Sequence, residues 1–136
     1  MIYEFEVPGE ITGKARPRLN TRSGKVYTPT KTKNYEYLTR FYFTQKYQDY
    51  TPVEGRVKIS IIAYFDIPKS TSKKKEAEML GNRISPTKKP DIDNITKVVL
   101  DALNKFAYKD DTQITEITVV KKYASTPKVK IKIEEY

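Results

Sequence analysis

The stretch that decides the fold is Lys89-Pro90-Asp91-Ile92-Asp93-Asn94-Ile95-Thr96-Lys97, where the strongest helical pattern of the chain begins. From near Asp93 to Phe106, apolar residues recur at helical spacing and form one stripe: Ile92, Ile95, Val99, Ala102, Leu103 and Phe106. The opposite face is polar and carries Asp93, Asn94, Lys97, Asp101 and Asn104. The pattern predicts a helix that buries its apolar stripe and leaves its carboxylates outside the core.

Alternating apolar residues predict strands before and after this helix, over residues 3–7, 57–65, 114–120 and 128–133. A second long helix is predicted from Thr30 or Thr32 to about Tyr47, and a short helix over 73–80 that follows Ser72 and stops at Gly81. The order of these elements predicts an α+β fold in a single domain, residues 1–136, with two main helices packed on a mixed or antiparallel sheet.

The composition restricts the kinds of site and partner that the chain can have. It carries a formal net charge of +9 and contains neither cysteine nor histidine, which excludes disulfides, thiolate metal sites and histidine catalysis. Any bound metal must be held by oxygen atoms, which favours Mg²⁺, Mn²⁺ or Ca²⁺. The positive charge predicts attraction to a polyanion. No stretch is apolar enough to span a bilayer and the first residues do not resemble a signal peptide, so we expect a cytoplasmic protein with no membrane partner.

Carboxylates stand at both ends of the predicted helix. Asp91 and Asp93 straddle its start, where an aspartate ordinarily caps a helix or favours its dipole, and Asp110 and Asp111 follow its end. A helix of about fourteen residues spans roughly 20 Å, so the two pairs meet only if the chain doubles back, which the spacing leaves open. Three such carboxylates suit a hard cation that binds phosphate oxygens. Lys97, one turn after Asp93, either stabilises transition-state charge or forms a plain ion pair.

Positive charge concentrates in two segments that precede this helix in the chain, residues 13–33 and residues 69–90. Residues 13–33 contain seven basic residues and no acidic one, and their prolines and glycine are typical of a loop or a loose hairpin. Such a segment either faces solvent or contacts phosphate, and we predict phosphate contact. The predicted DNA-binding residues are Lys14, Arg16, Arg18, Arg22, Lys25, Lys88 and Lys89. The chain also has 11 tyrosines, for which core packing is favoured over stacking on unpaired bases.

The acidic block resembles the RusA family of Holliday junction resolvases. The resemblance rests on residues 89–94, Lys97, residues 101–104 and residues 108–114. The basic segment over residues 13–18, together with Tyr27-Thr28-Pro29, is similar to the phage and prophage branch of that family. It implies a RusA-like fold and a homodimer that resolves four-way DNA junctions by paired symmetric nicks with Mg²⁺ or Mn²⁺.

The same resemblance implies a role for each matching residue. Asp91, Asp93 and Asp111 are expected to be the catalytic, metal-binding carboxylates, Lys97 the catalytic lysine, and Asp110 an auxiliary or structural acid. The alternative is a non-enzymatic DNA-binding module that uses its basic loops, in which the aspartates only cap helices and form turns.

Overall fold

A four-stranded mixed sheet forms the centre of the computed structural model, which describes all 136 residues. Six strands are present in the chain: β1 (Ile2–Pro8), β2 (Arg18–Leu19), β3 (Val26–Tyr27), β4 (Val57–Asp66), β5 (Ile114–Ala124) and β6 (Lys128–Glu135). The main sheet has the order β1-β6-β4-β5, and only the β4–β5 pair is parallel. β2 and β3 pair separately as a small antiparallel hairpin, so the basic segment is the loose hairpin that its prolines and glycine suggested.

Three helices complete the fold: α1 (Thr30–Lys46), α2 (Lys73–Leu80) and α3 (Ile92–Leu103). α1 and α3 contact each other, and their buried side chains join the inward face of the sheet in one apolar core of 21 residues. The short helix α2 buries no side chain, and its first turn is capped by the Ser72 hydroxyl, which accepts from the Lys75 amide at 3.3 Å. None of these helices is both long and apolar enough to cross a membrane. The α+β prediction with a mixed sheet is confirmed.

The end of α3 differs from the prediction. The helix stops at Leu103, because Asn104 adopts an extended conformation and Lys105 has a φ of 73°, outside the helical region. Phe106 therefore lies beyond the helix, where its ring is 5.0 Å from the Arg40 guanidinium. The predicted apolar stripe also changes, since Ile92 is 44% exposed and Val98 is fully buried.

Most of the tyrosines belong to the apolar core or pack against it. Tyr3, Tyr47 and Tyr50 surround the buried ring of Phe43 with ring centroids 5.1 to 5.8 Å away, distances typical of favourable aromatic pairs. Tyr35 is also buried, whereas Tyr37 is 62% exposed. Core packing therefore accounts for most of the aromatic residues between 35 and 50.

α3 runs from one end of the sheet to the other, because it lies between two parallel strands in the chain. Just before α3, the Lys88 ammonium lies 5.5 Å from the ring of Phe65, near the last residue of β4. Just after α3, the Ala107 carbonyl accepts from the Val53 amide at 3.0 Å, close to the first residue of β4. The two acidic pairs thus stand at opposite ends of the sheet.

Candidate active site

Asp91 occupies the N-cap position of α3 without acting as a cap. Its backbone is extended, yet its side chain accepts no hydrogen bond from a backbone amide in the first turn of the helix. Instead, one carboxylate oxygen accepts from the Asn94 side-chain amide at 2.6 Å. Because helix capping does not explain this exposed carboxylate, it remains free to bind a ligand with its other oxygen.

Asp93 lies in the first turn of α3 and pairs with Lys97 one turn later. The ammonium is 3.1 Å from the carboxylate, and the side chains of Asp93 and Lys97 are 68% and 58% exposed. An exposed i,i+4 pair contributes only about 0.3–0.5 kcal/mol. The pair therefore opens at little cost, and both groups are available to a phosphate or a cation.

Asp110 and Asp111 have different surroundings, although they are adjacent. The Asp110 carboxylate caps the short 3-10 turn Asp111–Gln113 and accepts hydrogen bonds from the Thr112 amide and hydroxyl. In return, the Asp110 amide donates to the side-chain oxygen of Gln113. The bonds from Thr112 lower the pKa of the Asp110 carboxyl. Asp111 is exposed and makes no side-chain hydrogen bond or ion pair. Of the two, Asp111 is the free carboxylate.

A buried tyrosine lies beside the second acidic pair. Tyr108 is fully buried, and its hydroxyl donates to the Leu100 carbonyl of α3 at 2.7 Å. Burial raises the pKa of this phenol, and the charges of Asp111, Asp101 and Asp110 raise it further. Tyr108 therefore connects the turn that carries Asp111 to the third turn of α3. In the sequence, the only signal for Tyr108 is its position next to the acidic pair.

The fold brings Asp93 and Lys97 together and leaves Asp111 at the other end of α3. The twelve residues of the helix correspond to about 18 Å, and no three acidic side chains lie close enough together to hold a metal ion. The donor atoms suit Mg²⁺ because all are carboxylate or amide oxygens. Within one chain these oxygen atoms are of the chemical type that Mg²⁺ binds, but too few of them lie close together to hold the ion.

The basic segment docks against the start of α3. The Lys14 amide donates to the Asn94 carbonyl at 3.1 Å, and a side chain at Gly13 would stand 2.5 Å from the Pro90 Cβ. Between the segment and the helix lies an open groove of about 760 Å³ whose lining includes Arg18, Lys31, Lys89, Asp91 and Asn94. Positive groups thus face the same groove as Asp91.

The seven residues predicted to bind DNA fall into two groups. Five are exposed with no acidic partner: Arg16, Arg18, Arg22, Lys25 and Lys89. The other two are engaged, since Lys88 lies 3.3 Å from Glu10 and Lys14 binds two carboxylates, at 2.8 and 3.0 Å. The Lys14 ammonium is therefore the least available of the set for a phosphate.

Comparison with known proteins connects these features. The family model described as endodeoxyribonuclease RusA matches residues 8–134. The chain belongs to the RusA endodeoxyribonuclease family. The RusA match spans the basic segment, both acidic pairs and the whole of α3. The chain is also similar to the uncharacterized protein YqaN of Bacillus subtilis (strain 168), with 38% identity over 136 residues that cover 97% of this chain and 95% of YqaN.

Proposed function

We propose that the protein is a metal-dependent, structure-selective endodeoxyribonuclease that resolves four-way DNA junctions by paired symmetric nicks during recombination and repair in the cytoplasm. The observation that carries the proposal is the RusA match across residues 8–134, which includes carboxylates that capping does not explain. The groove beside Asp91, lined by Arg18 and Lys89, supports DNA as the substrate.

The roles of the acidic residues follow from their chemistry. Asp91, Asp93 and Asp111 would hold Mg²⁺, with Mn²⁺ as a substitute, and the bound ion would polarise the scissile phosphate and lower the pKa of the attacking water. Lys97, whose pair with Asp93 opens easily, would stabilise negative charge on the phosphate. Arg16, Arg18 and Lys89 would position the DNA backbone.

A homodimer is part of the proposal. A four-way junction has two-fold symmetry, and a symmetric dimer supplies two equivalent sites for the two nicks. Because α3 separates Asp111 from Asp91 and Asp93, the three carboxylates meet either after a rearrangement within one chain or between two chains. Mixing inactive Asp91→Asn and Asp111→Asn variants distinguishes these cases: recovered cleavage means that two chains share a site, and no recovery means that each chain builds its own.

The test of the function compares substrates. The purified protein is incubated with a labelled four-way junction, a linear duplex of the same sequence and a single strand, each with Mg²⁺ or with EDTA. The proposal predicts symmetric nicks in the junction only when Mg²⁺ is present. Equal cleavage of all three substrates would contradict junction selectivity, and cleavage in EDTA would contradict metal dependence.

A non-enzymatic DNA-binding module is the second candidate, favoured by the lack of three converging acidic side chains. It predicts junction binding with no nicks under any metal condition, and Asp91→Asn would then leave every DNA-dependent property unchanged. The same substrate comparison separates the two functions.

A further inference from the structure

Lys14 has a different environment from every other basic residue between 13 and 33. Its ammonium bridges Glu36 of α1, at 2.8 Å, and Asp101 of α3, at 3.0 Å, and its side chain is only 20% exposed. None of its basic neighbours in the segment forms an ion pair. Partial burial by itself lowers the pKa of Lys14, but the bonds to Glu36 and Asp101 outweigh it and raise the pKa above its ordinary value.

Backbone contacts fasten the chain on both sides of this side chain. The Lys14 amide donates to the Asn94 carbonyl at the start of α3, and the Ala15 amide donates to the Thr32 hydroxyl at the start of α1. Gly13 packs against Pro90 so closely that a Cβ would not fit. The chain is therefore held at residues 13–15 by both helices, immediately before Arg16 and Arg18.

The burial of the Glu36 carboxylate stabilises its ion pair with Lys14. This carboxylate is mostly buried, with a side chain 11% exposed, and Arg40 is its second cationic partner at 3.5 Å. A carboxylate removed from water needs such partners. A phosphate that captured the Lys14 ammonium would leave Glu36 with Arg40 only and would leave Asp101 unpaired, which makes Lys14 a poor phosphate ligand.

We propose that Lys14 is a positioning residue: its ammonium fastens the basic segment to α1 and α3 and so fixes Arg16 and Arg18 relative to Asp91. This inference rests on the proposed nuclease function for its catalytic consequence. Its structural part, the fastening of residues 13–15, stands independently of that function.

The test compares three variants. Lys14→Met keeps the length of the side chain and removes the charge, Lys14→Arg keeps the charge and bridging ability, and Lys130→Met removes a lysine from the other face of the sheet as the control. Hydrogen exchange of the Lys14 and Ala15 amides is measured on the free proteins. Because amide exchange reports local opening, we expect exchange at least about tenfold faster in Lys14→Met, and unchanged in Lys14→Arg and Lys130→Met.

Cleavage and binding supply the second measurement. Single-turnover cleavage is measured with the enzyme in saturating excess over the junction. Lys14→Met should slow this cleavage about 100-fold, as expected when substrate-positioning groups are displaced, and Lys14→Arg should recover most of the rate. A direct phosphate contact predicts instead that the salt dependence of binding falls by about one unit, while amide exchange and the cleavage rate at saturation stay unchanged. That result overturns the proposal.

If the wild type cleaves nothing, the nuclease function fails, and unchanged amide exchange in Lys14→Met would still overturn the fastening. If Lys14→Met does not fold, Asp101→Asn, which removes one of the two contacts, takes its place in both measurements.

Discussion

Replacing Gly13 by alanine tests the docking of the basic segment directly. The added Cβ would lie 2.5 Å from the Pro90 Cβ and 3.3 Å from the Asn94 Cβ, whereas carbon atoms in contact prefer roughly 3.5–4.0 Å. One side must retreat by about 1 Å, and overpacking of this kind costs about 1–3 kcal/mol. If the segment lifts instead, the bond from the Lys14 amide to Asn94 is lost, at about 0.5–1.5 kcal/mol.

The measurement is urea unfolding of wild type and Gly13→Ala, with the slope of each transition checked for equality. Gly81→Ala is the comparison, because its nearest contact would be the Ala77 carbonyl at 3.1 Å, a smaller overlap than at Gly13, and it should therefore cost less stability. A Gly13→Ala protein as stable as wild type would refute the close docking.

Three further predictions concern neighbouring parts of the site. Tyr108→Phe removes the bond to the Leu100 carbonyl and should lower the free energy of unfolding by about 1 kcal/mol; an unchanged value in urea would contradict the role given to that hydroxyl. Asp110 has a carboxyl pKa lowered by Thr112, so its contribution to stability is complete above its ordinary pKa and is lost as the pH falls through the lowered value. Thr112→Ala should bring that pKa back up in an NMR titration, and an unmoved pKa would show that Thr112 is not its cause. Arg18→Ala should weaken junction binding and reduce its salt dependence by about one unit, and an unchanged slope would remove Arg18 from the phosphate contacts.

Local patterns were sufficient to predict most of the elements. Alternation predicted the strands of the main sheet, and Ser72 with Gly81 predicted both ends of α2. The end of α3 was missed because a lysine with positive φ has no signal in the sequence. Ile92 was placed in the apolar stripe and Val98 was left out because spacing alone does not show which residues of α3 the sheet and α1 cover.

The arrangement of the candidate site was less predictable. Helix length left open whether Asp91 and Asp111 meet, because the parallel pairing of β4 and β5, which decides it, depends on contacts distant in sequence. The bridge from Lys14 to Glu36 and Asp101 joins residues 22 and 87 positions apart, and no local spacing encodes it. Charge alone therefore placed Lys14 among the predicted phosphate ligands.

The central claim is that the carboxylates at the start of α3 perform metal-dependent cleavage. The most direct measurement is cleavage of a four-way junction in Mg²⁺ by wild type, Asp93→Asn and Asp49→Asn, an exposed aspartate beyond α1 that serves as the control. Asp93→Asn breaks only a pair worth about 0.3–0.5 kcal/mol, so the variant should fold and bind the junction. We expect Asp93→Asn to leave the junction intact and Asp49→Asn to nick it as wild type does. Cleavage by Asp93→Asn at the wild-type rate would contradict it.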